Sequence, residues 1–414
     1  MRLFCLELKR VLGTRSTMII LAVALLLSVW MAYLPVSYVT LTLPDGNGGE
    51  TKIAGMQALQ ETKQRRSEYS GEITPEKMQQ ALEQYQKTVE QYGDPHEEDF
   101  PLDVDMEQLF PVSHLVRRLV EVNADETGMA PEAAALTAED AARFYEQCEI
   151  HIGDLMKLEQ RKYPDAQQQA KELYSEVEQP FYYYPGYTTD ALEYVGMYVF
   201  LLVFLCTLVA APIFSSEYQT GADDILRCTK HGRIRLAVTK IAALLLLFVT
   251  LFAVCMAIFT VVSNTLFGWE CRQTSLQIIH SAATLVNLTL GGAQNWITGM
   301  GLLSLLATAS FTLFLSSVCR TNVKALGTSL VFLVGPSICY MLTNGQLVAW
   351  LRCLLPSGAI GMTNSFTYAI LGFEFLHMGQ TCFWPPIVMF VAELVAIPLF
   401  LALTVRCYQK HISR

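Results

Sequence analysis

Residues 16 to 44 read STMIILAVALLLSVWMAYLPVSYVTLTLP, with no charged side chain between Arg15 and Asp45. A helix that crosses the hydrocarbon core of a bilayer needs about 20 apolar residues, and a central charge is costly there. Thr17 to Tyr38 meets both conditions, which places the chain in a membrane. Arg2, Lys9, Arg10 and Arg15 precede the run, as they would a secretory leader. The run is long, however, and no A-x-A-like cleavage site closes it, so it reads as a retained anchor.

Five further uncharged or nearly uncharged runs follow: about Tyr194 to Phe214, Ile241 to Ser263, Trp296 to Val318, Ala325 to Leu342, and Phe383 to Val405. The composition agrees, with 52% hydrophobic residues, 16% charged residues and a mean hydropathy of +0.33. A soluble protein carries about 25% charged residues. The charge is also partitioned. Thr40 to Asp190 holds 13 Lys+Arg against 30 Asp+Glu, whereas the rest of the chain holds 16 basic and 8 acidic residues. A water-soluble acidic domain is inserted between the first and second spans.

Basic residues set the orientation. The N-terminal segment has four, and Ser215 to Lys240 has five, namely Arg227, Lys230, Arg233, Arg235 and Lys240. Arg320 and Lys324 lie between spans four and five, and Arg406, Lys410 and Arg414 follow span six, whereas the loops of opposite parity carry only Arg272 and Arg352. Both termini are therefore expected in the cytoplasm. The fold class is an all-α integral membrane protein of six transmembrane helices, with a large, mainly helical extracytoplasmic domain between helices 1 and 2. Residues 1–39 hold an interfacial helix and the first span, 40–192 the extracytoplasmic domain, and 193–414 the remaining spans with a cytoplasmic loop at 215–240. Leu276 to Leu290 and Cys353 to Phe373 are too polar or too broken to face lipid along their length, and are expected as interfacial or re-entrant helices on the outer side.

Within the inserted domain, Met78, Leu82, Tyr85, Val89 and Tyr92 recur at helical spacing after Thr74-Pro75, a hydroxyl N-cap followed by proline at the first helical position. A second long helix is expected from Pro131 to Tyr163, with Leu136, Phe144, Cys148, Ile152 and Leu155 on one face, forming an antiparallel stalk with the first. The aromatic run Phe181 to Tyr187 suits either the membrane boundary or the domain core. Cys353 and Cys382 flank the last outer segment, where an oxidising compartment permits pairing. His96-Glu97-Glu98-Asp99 reads as a solvated acidic loop after Pro95, and no metal site is expected.

Chemistry is sparse. No glycine precedes a lysine, so no Walker loop exists, and no H-E-x-x-H or G-x-S-x-G appears. Glu393 is the one ionisable residue deep in a span, and such carboxylates face the bundle interior, as part of a pathway or hydrogen-bonded to a neighbouring helix. The most patterned stretch is FSSEYQTGADDILRCTKHGRIR, residues 214 to 235. It is a short helix of mixed charge, broken at Gly232 and tied at both ends to spans, so it can pass force from a cytoplasmic partner into the bundle. An ordinary positive-inside loop would need no such pattern.

The order F-x-x-E-x-x-x-G, then acidic and apolar residues, then a basic-Gly-basic turn, resembles the permease subunits of ABC-2-type exporters. The amphipathic segment Leu3 to Arg15 resembles that family's interfacial helix, and Leu354-Leu355-Pro356 resembles the short outer helices before its last span. Tyr218-Gln219 departs from the pattern, as the family often has a charged residue there. The resemblance implies a permease that does not hydrolyse ATP and needs no cofactor of its own. It would pair as a homo- or heterodimer among lipids in a bacterial plasma membrane, dock onto a cytosolic ABC ATPase that binds the ATP, and touch no nucleic acid. The coupling loop would comprise Glu217, Gly221, Asp223, Asp224, Arg227, Lys230, Arg233 and Arg235, with Glu217 bridging to Arg227 or to the N-terminal helix, and Asp223 and Asp224 facing the ATPase. Two alternatives are a mechanotransmitting ABC membrane protein, which typically has four spans, and a membrane sensor or enzyme working without an ATPase.

Overall fold

In a computed structural model of the chain, residues 2–45, 49–97, 99–228, 233–342, 345–361 and 366–410 are described. Among them, six helices are long and apolar enough to cross a membrane. These are α2 (Arg15–Tyr38), α10 (Thr189–Ala210) continuing into α11 (Pro212–Thr220), α13 (Ile234–Phe267), α15 (Leu290–Val318), α16 (Asn322–Leu342) and α19 (Pro385–Lys410). All six coincide with the uncharged runs of the sequence. A short amphipathic helix, α1 (Arg2–Leu12), precedes α2, and α12 (Ala222–Arg227) lies between α11 and α13.

The bundle packs around α15, whose main partners are α10 and α19. Small residues make this possible. A Cβ on Gly301 would meet Val199 Cγ1 at 2.6 Å, so α15 and α10 touch closely only because glycine stands there. Between α10 and α2, buried Tyr198 donates to the carbonyl of Ala24 at 2.9 Å and stacks on Phe259 of α13.

The inserted domain opens with a hairpin of β1 (Thr40–Pro44) and β2 (Glu50–Ala54), in which Thr40 faces Ala54. It continues through α3 (Met56–Arg65), β3 (Gly71–Glu72), α4 (Pro75–Tyr92), α5 (Leu102–Val104), α6 (Ser113–Val122), α7 (Ala138–Ala142), α8 (Phe144–Glu159), α9 (Pro164–Ser175) and β4 (Tyr182–Tyr183). β4 closes antiparallel on β3. α4 starts as its sequence demands, with Thr74 Oγ1 accepting from the Lys77 amide and Pro75 at the first position. Met78 and Leu82 are buried, as are Leu115 and Leu119 on α6 and Phe144, Cys148 and Ile152 on α8. His96, Glu97 and Asp99 are an exposed turn, and Glu98 lies outside the described residues.

Two expectations for this domain are corrected. The helix expected from Pro131 to Tyr163 is divided, because Thr137 and Asp140 form a reciprocal capping box that starts α7, and the chain bends again at Arg143 before α8. Among the described residues the two helices form no stalk: α4 packs mainly on α6 and α7, and α8 on α9 and α6. The aromatic run is part of the core, with Phe181, Tyr183 and Tyr187 buried and Tyr182 alone strongly exposed.

The domain is not made from the insert alone. Leu276 to Leu290 is helical for only one turn, α14 (Leu276–Ile279), and covers the domain instead of lying as a membrane helix. Tyr174 donates to Ala282 O at 2.9 Å, the Ser275 amide to Tyr182 O at 2.8 Å, and Gln277 turns inward to Thr284 O and Val286 O. A last hairpin, β5 (Leu376–Met378) with β6 (Thr381–Phe383), docks on α9, where the Cys382 amide donates to Asp165 Oδ2 at 2.7 Å. Cys353 and Cys382 are free buried thiols, so the expected pairing does not occur. Burial pushes both thiols up, and Asp165 raises Cys382 further.

After α17 (Gln346–Leu354) and before α18 (Phe366–Leu371), residues 356 and 357 of the segment expected as interfacial or re-entrant bond the bundle helices. Thr308 Oγ1 on α15 donates to Pro356 O at 3.0 Å, and Ser357 Oγ donates to Phe332 O on α16 at 2.9 Å. These side chains satisfy backbone that no regular helix covers.

Candidate functional site

Among the described residues, the buried ionisable side chains of the bundle include one set at the end far from the inserted domain and one between α15 and α19. The first centres on Glu217. α11 is fixed against α15 by Ser316 Oγ, which accepts from the amides of Phe214 and Ser215 at 3.0 and 3.1 Å. This turns Glu217 inward, where it is buried. Arg10 Nη1 of α1 reaches Glu217 Oε1 at 2.6 Å, and Lys240 Nζ of α13 bonds Oε2. Arg10 Nη2 is also 2.9 Å from Glu7 Oε2.

Lys240 is itself buried, lying over the rings of Phe214 and Tyr408 at 5.4 and 5.8 Å from their centroids. One carboxylate thus joins α1, α11 and α13, and the aromatic seat of its cation adds α19. Of the two partners expected for Glu217, the N-terminal helix supplies Arg10. The side chain of Arg227 and all of Lys230 lie outside the described residues.

Gly221 ends α11 at φ 70°, a left-handed turn with open space around it, so backbone conformation and not crowding calls for glycine. The chain then turns into α12. Asp224 is exposed and Ile225 is 75% exposed, an apolar side chain presented outward at this end of the bundle. Asp223 is buried, with Oδ2 unpartnered among the described residues, which corrects the expectation that both acids face outward. Arg233 and Arg235 are exposed at the start of α13.

The second set is built on Glu393 of α19, which is fully buried. Ser304 Oγ of α15 lies 2.7 Å from both carboxyl oxygens, and the amide of Ala359 in the re-entrant segment reaches Oε1 at 3.4 Å. Glu393 therefore faces the interior and is hydrogen-bonded to a neighbouring helix, one of the two placements its sequence position left open. Ser304 and Ala359 were not anticipated. The only trace of Ser304 in the sequence is the run of small hydroxyl residues Ser304, Thr308 and Ser310 within one span.

This arrangement defines a multi-pass membrane protein in which a short mixed-charge helix at one end of the bundle follows a helix tied to α1, α13 and α15 through Glu217 and Ser316. Residues 125–406 match the family described as ABC-2 family transporter protein, and the chain belongs to that family. The match runs from the loop after α6 into the last turns of α19, leaving α1, α2 and the first part of the inserted domain outside it. No curated protein matches the chain.

Proposed function

We propose that this chain is the membrane-spanning permease subunit of an ATP-driven exporter in a bacterial plasma membrane, with both termini in the cytoplasm. A separate cytosolic ABC ATPase hydrolyses ATP, and α11 and α12 carry its motion into the spans of a homo- or heterodimer. The observation that carries this reading is the clamp at Glu217. A push on α12 reaches α11 through Gly221, then α1 and α13 through two ion pairs. Exposed Ile225 beside Asp224 supplies an apolar anchor with a charged rim, the composition of a small protein contact. Six candidate spans argue against the four-span mechanotransmitting layout.

The test is a pair of charge changes. Asp224→Lys with Ile225→Asp alters only exposed side chains, so folding and membrane insertion should survive. The variant should lose its co-purifying ATPase, or the stimulation of that ATPase by substrate. Glu97→Lys, exposed in the inserted domain, should retain both. Full ATPase association by the α12 variant removes these two residues as contacts. If no ATPase accompanies even the wild-type chain, the reading yields to a sensor or enzyme that acts without one.

A further inference from the structure

At the inserted-domain end of the bundle, the first turns of α15 and α19 border a hollow of about 410 Å³, a size within the roughly 300–1,000 Å³ of ordinary ligand pockets. Its wall is apolar, made by Trp296 and Gly299 of α15, Phe366 of α18, and Trp384, Ile387 and Phe390 at the start of α19. Trp296, Ile387 and Phe390 are 44%, 58% and 51% exposed, so the hollow opens sideways onto a face that the bilayer covers. A Cβ on Gly299 would meet nothing within 4 Å, so glycine leaves open a space that a larger side chain would enter.

Asn295 brings a polar corner to the hollow, and it leads to a cation. Arg272 Nη2 donates to Asn295 Oδ1 at 3.4 Å, and Arg272 Nη1 donates to Gln294 Oε1 at 3.1 Å. The guanidinium also lies 5.9 Å from the ring centroid of exposed Trp269. All three partners are neutral, so they orient the charge without cancelling it. Among the described residues Arg272 forms no ion pair, and the neighbouring acid, Glu270, is bonded to Lys63. Packing holds the arginine in place, since a Cβ on Gly291 would stand 3.0 Å from both Arg272 Cβ and Nε. Asn295 comes one turn before Gly299, and Pro386 one turn before Phe390. The cation therefore stands at the mouth, and the apolar wall runs from it toward the middle of the bundle. Trp296 and Trp384 mark that mouth as the membrane boundary.

We propose that the hollow holds one anionic phospholipid from the leaflet on the inserted-domain side. Its phosphate bonds Arg272 and Asn295, and one acyl chain lies along Trp296, Gly299, Ile387 and Phe390. A guanidinium with only neutral partners calls for an anion, and an apolar hollow open to the bilayer calls for hydrocarbon; one molecule supplies both. A free anion would leave the wall bare. A second copy of the chain laid over the wall would leave the cation without a counter-ion. Because Arg272 follows α13 while the wall belongs to α15 and α19, the lipid joins three spans at one end. The inference requires no ATPase partner and no particular orientation in the membrane.

The test uses the purified full-length chain in detergent with equal amounts of phosphatidylglycerol and phosphatidylcholine of identical acyl chains, read by native mass spectrometry with thermal unfolding in parallel. The wild type should retain one phosphatidylglycerol per chain, about tenfold over phosphatidylcholine, and excess inorganic phosphate should not displace it. Arg272→Gln should abolish the preference and Arg272→Lys should keep it, which separates the charge from the bond to Gln294. Gly299→Leu enters the hollow from an unobstructed position, and leucine favours a helix over glycine. Its melting temperature should hold or rise while retention of phosphatidylglycerol falls about tenfold. Equal retention of the two lipids, retention of neither, displacement by phosphate alone, an undiminished preference in Arg272→Gln, or wild-type retention by Gly299→Leu each overturns the proposal.

Discussion

Arg10 and Glu217 stand 207 residues apart in sequence and 2.6 Å apart in space. Arg10 belongs to a short helix before the first span, and Glu217 to the helix that closes the second. The guanidinium is partly open to solvent while the carboxylate is buried, so the pair depends on Lys240 to complete the neutralisation from the protein side.

Removing Lys240 alone should therefore be worse than removing both members of the buried pair. Breaking such a pair costs roughly 3–5 kcal/mol, because one charge is left buried. Lys240→Met should sit at the low end, since Arg10 still faces Glu217. The double variant Lys240→Met with Glu217→Leu should recover much of the loss in thermal unfolding. Losses that simply add would show that the two side chains are energetically independent.

Glu393 and Ser304 should depend on each other in the same measurement. Ser304→Ala leaves a buried carboxyl short of its main partner and should cost about 1–3 kcal/mol. Glu393→Gln, whose amide both donates and accepts, should cost less. A Ser304→Ala chain that melts like wild type would show that the hydroxyl does not hold the carboxyl.

The inserted domain should lose stability in mild acid because of His114. This ring is buried against Tyr183 at 4.1 Å. Burial, then Arg66, Arg117 and Arg118, hold it well below its ordinary value of 6.5. Above that value the ring is neutral in folded and unfolded chains alike, so it contributes no pH dependence. Below it the unfolded chain takes a proton that the folded chain refuses, and stability falls with pH. His114→Phe should reduce the drop in melting temperature between about pH 7.5 and 5. An unchanged drop would assign the acid sensitivity to other groups.

Orientation is best read from Met129, which is 71% exposed on the inserted domain. Met129→Cys should gain one adduct from a membrane-impermeant maleimide applied to intact cells, while Cys5 and Cys407 stay unmodified. The native thiol of this domain, Cys148, is fully buried and should resist labelling on either side of the membrane. Labelling of Cys5 or Cys407 from outside would invert the assignment of both termini.

The six spans were legible because the bilayer penalises charge one helix at a time, and a run such as Thr17 to Tyr38 carries that signal by itself. The start of α4 was equally plain, since Thr74 and Pro75 act within a single turn. The junction at Glu217 was half legible: the loop and its link to the N-terminal helix were visible, but the burial of Asp223 was not, because packing of α12 decides it. The break of the Pro131–Tyr163 helix turned on a local contest that periodicity ignores, Thr137 and Asp140 capping a new helix against Leu136 continuing an old stripe. Least legible was the covering role of Leu276 to Leu290. Its contacts lie with Glu121 and Tyr174, more than 100 residues earlier.

The bond from the Cys382 amide to Asp165 crosses 217 residues of sequence. During synthesis, the inserted domain reaches its compartment long before the hairpin that closes it has been made. Until spans two to five are threaded and β5–β6 follows them, α9 displays an unfilled docking edge to whatever shares that compartment. Domains generally fold as units while the chain is made, but this one takes one of its edges from residues near the end of the chain. A chain cut short before β5–β6 therefore lacks the hairpin that bonds Asp165 and leaves that edge of α9 uncovered.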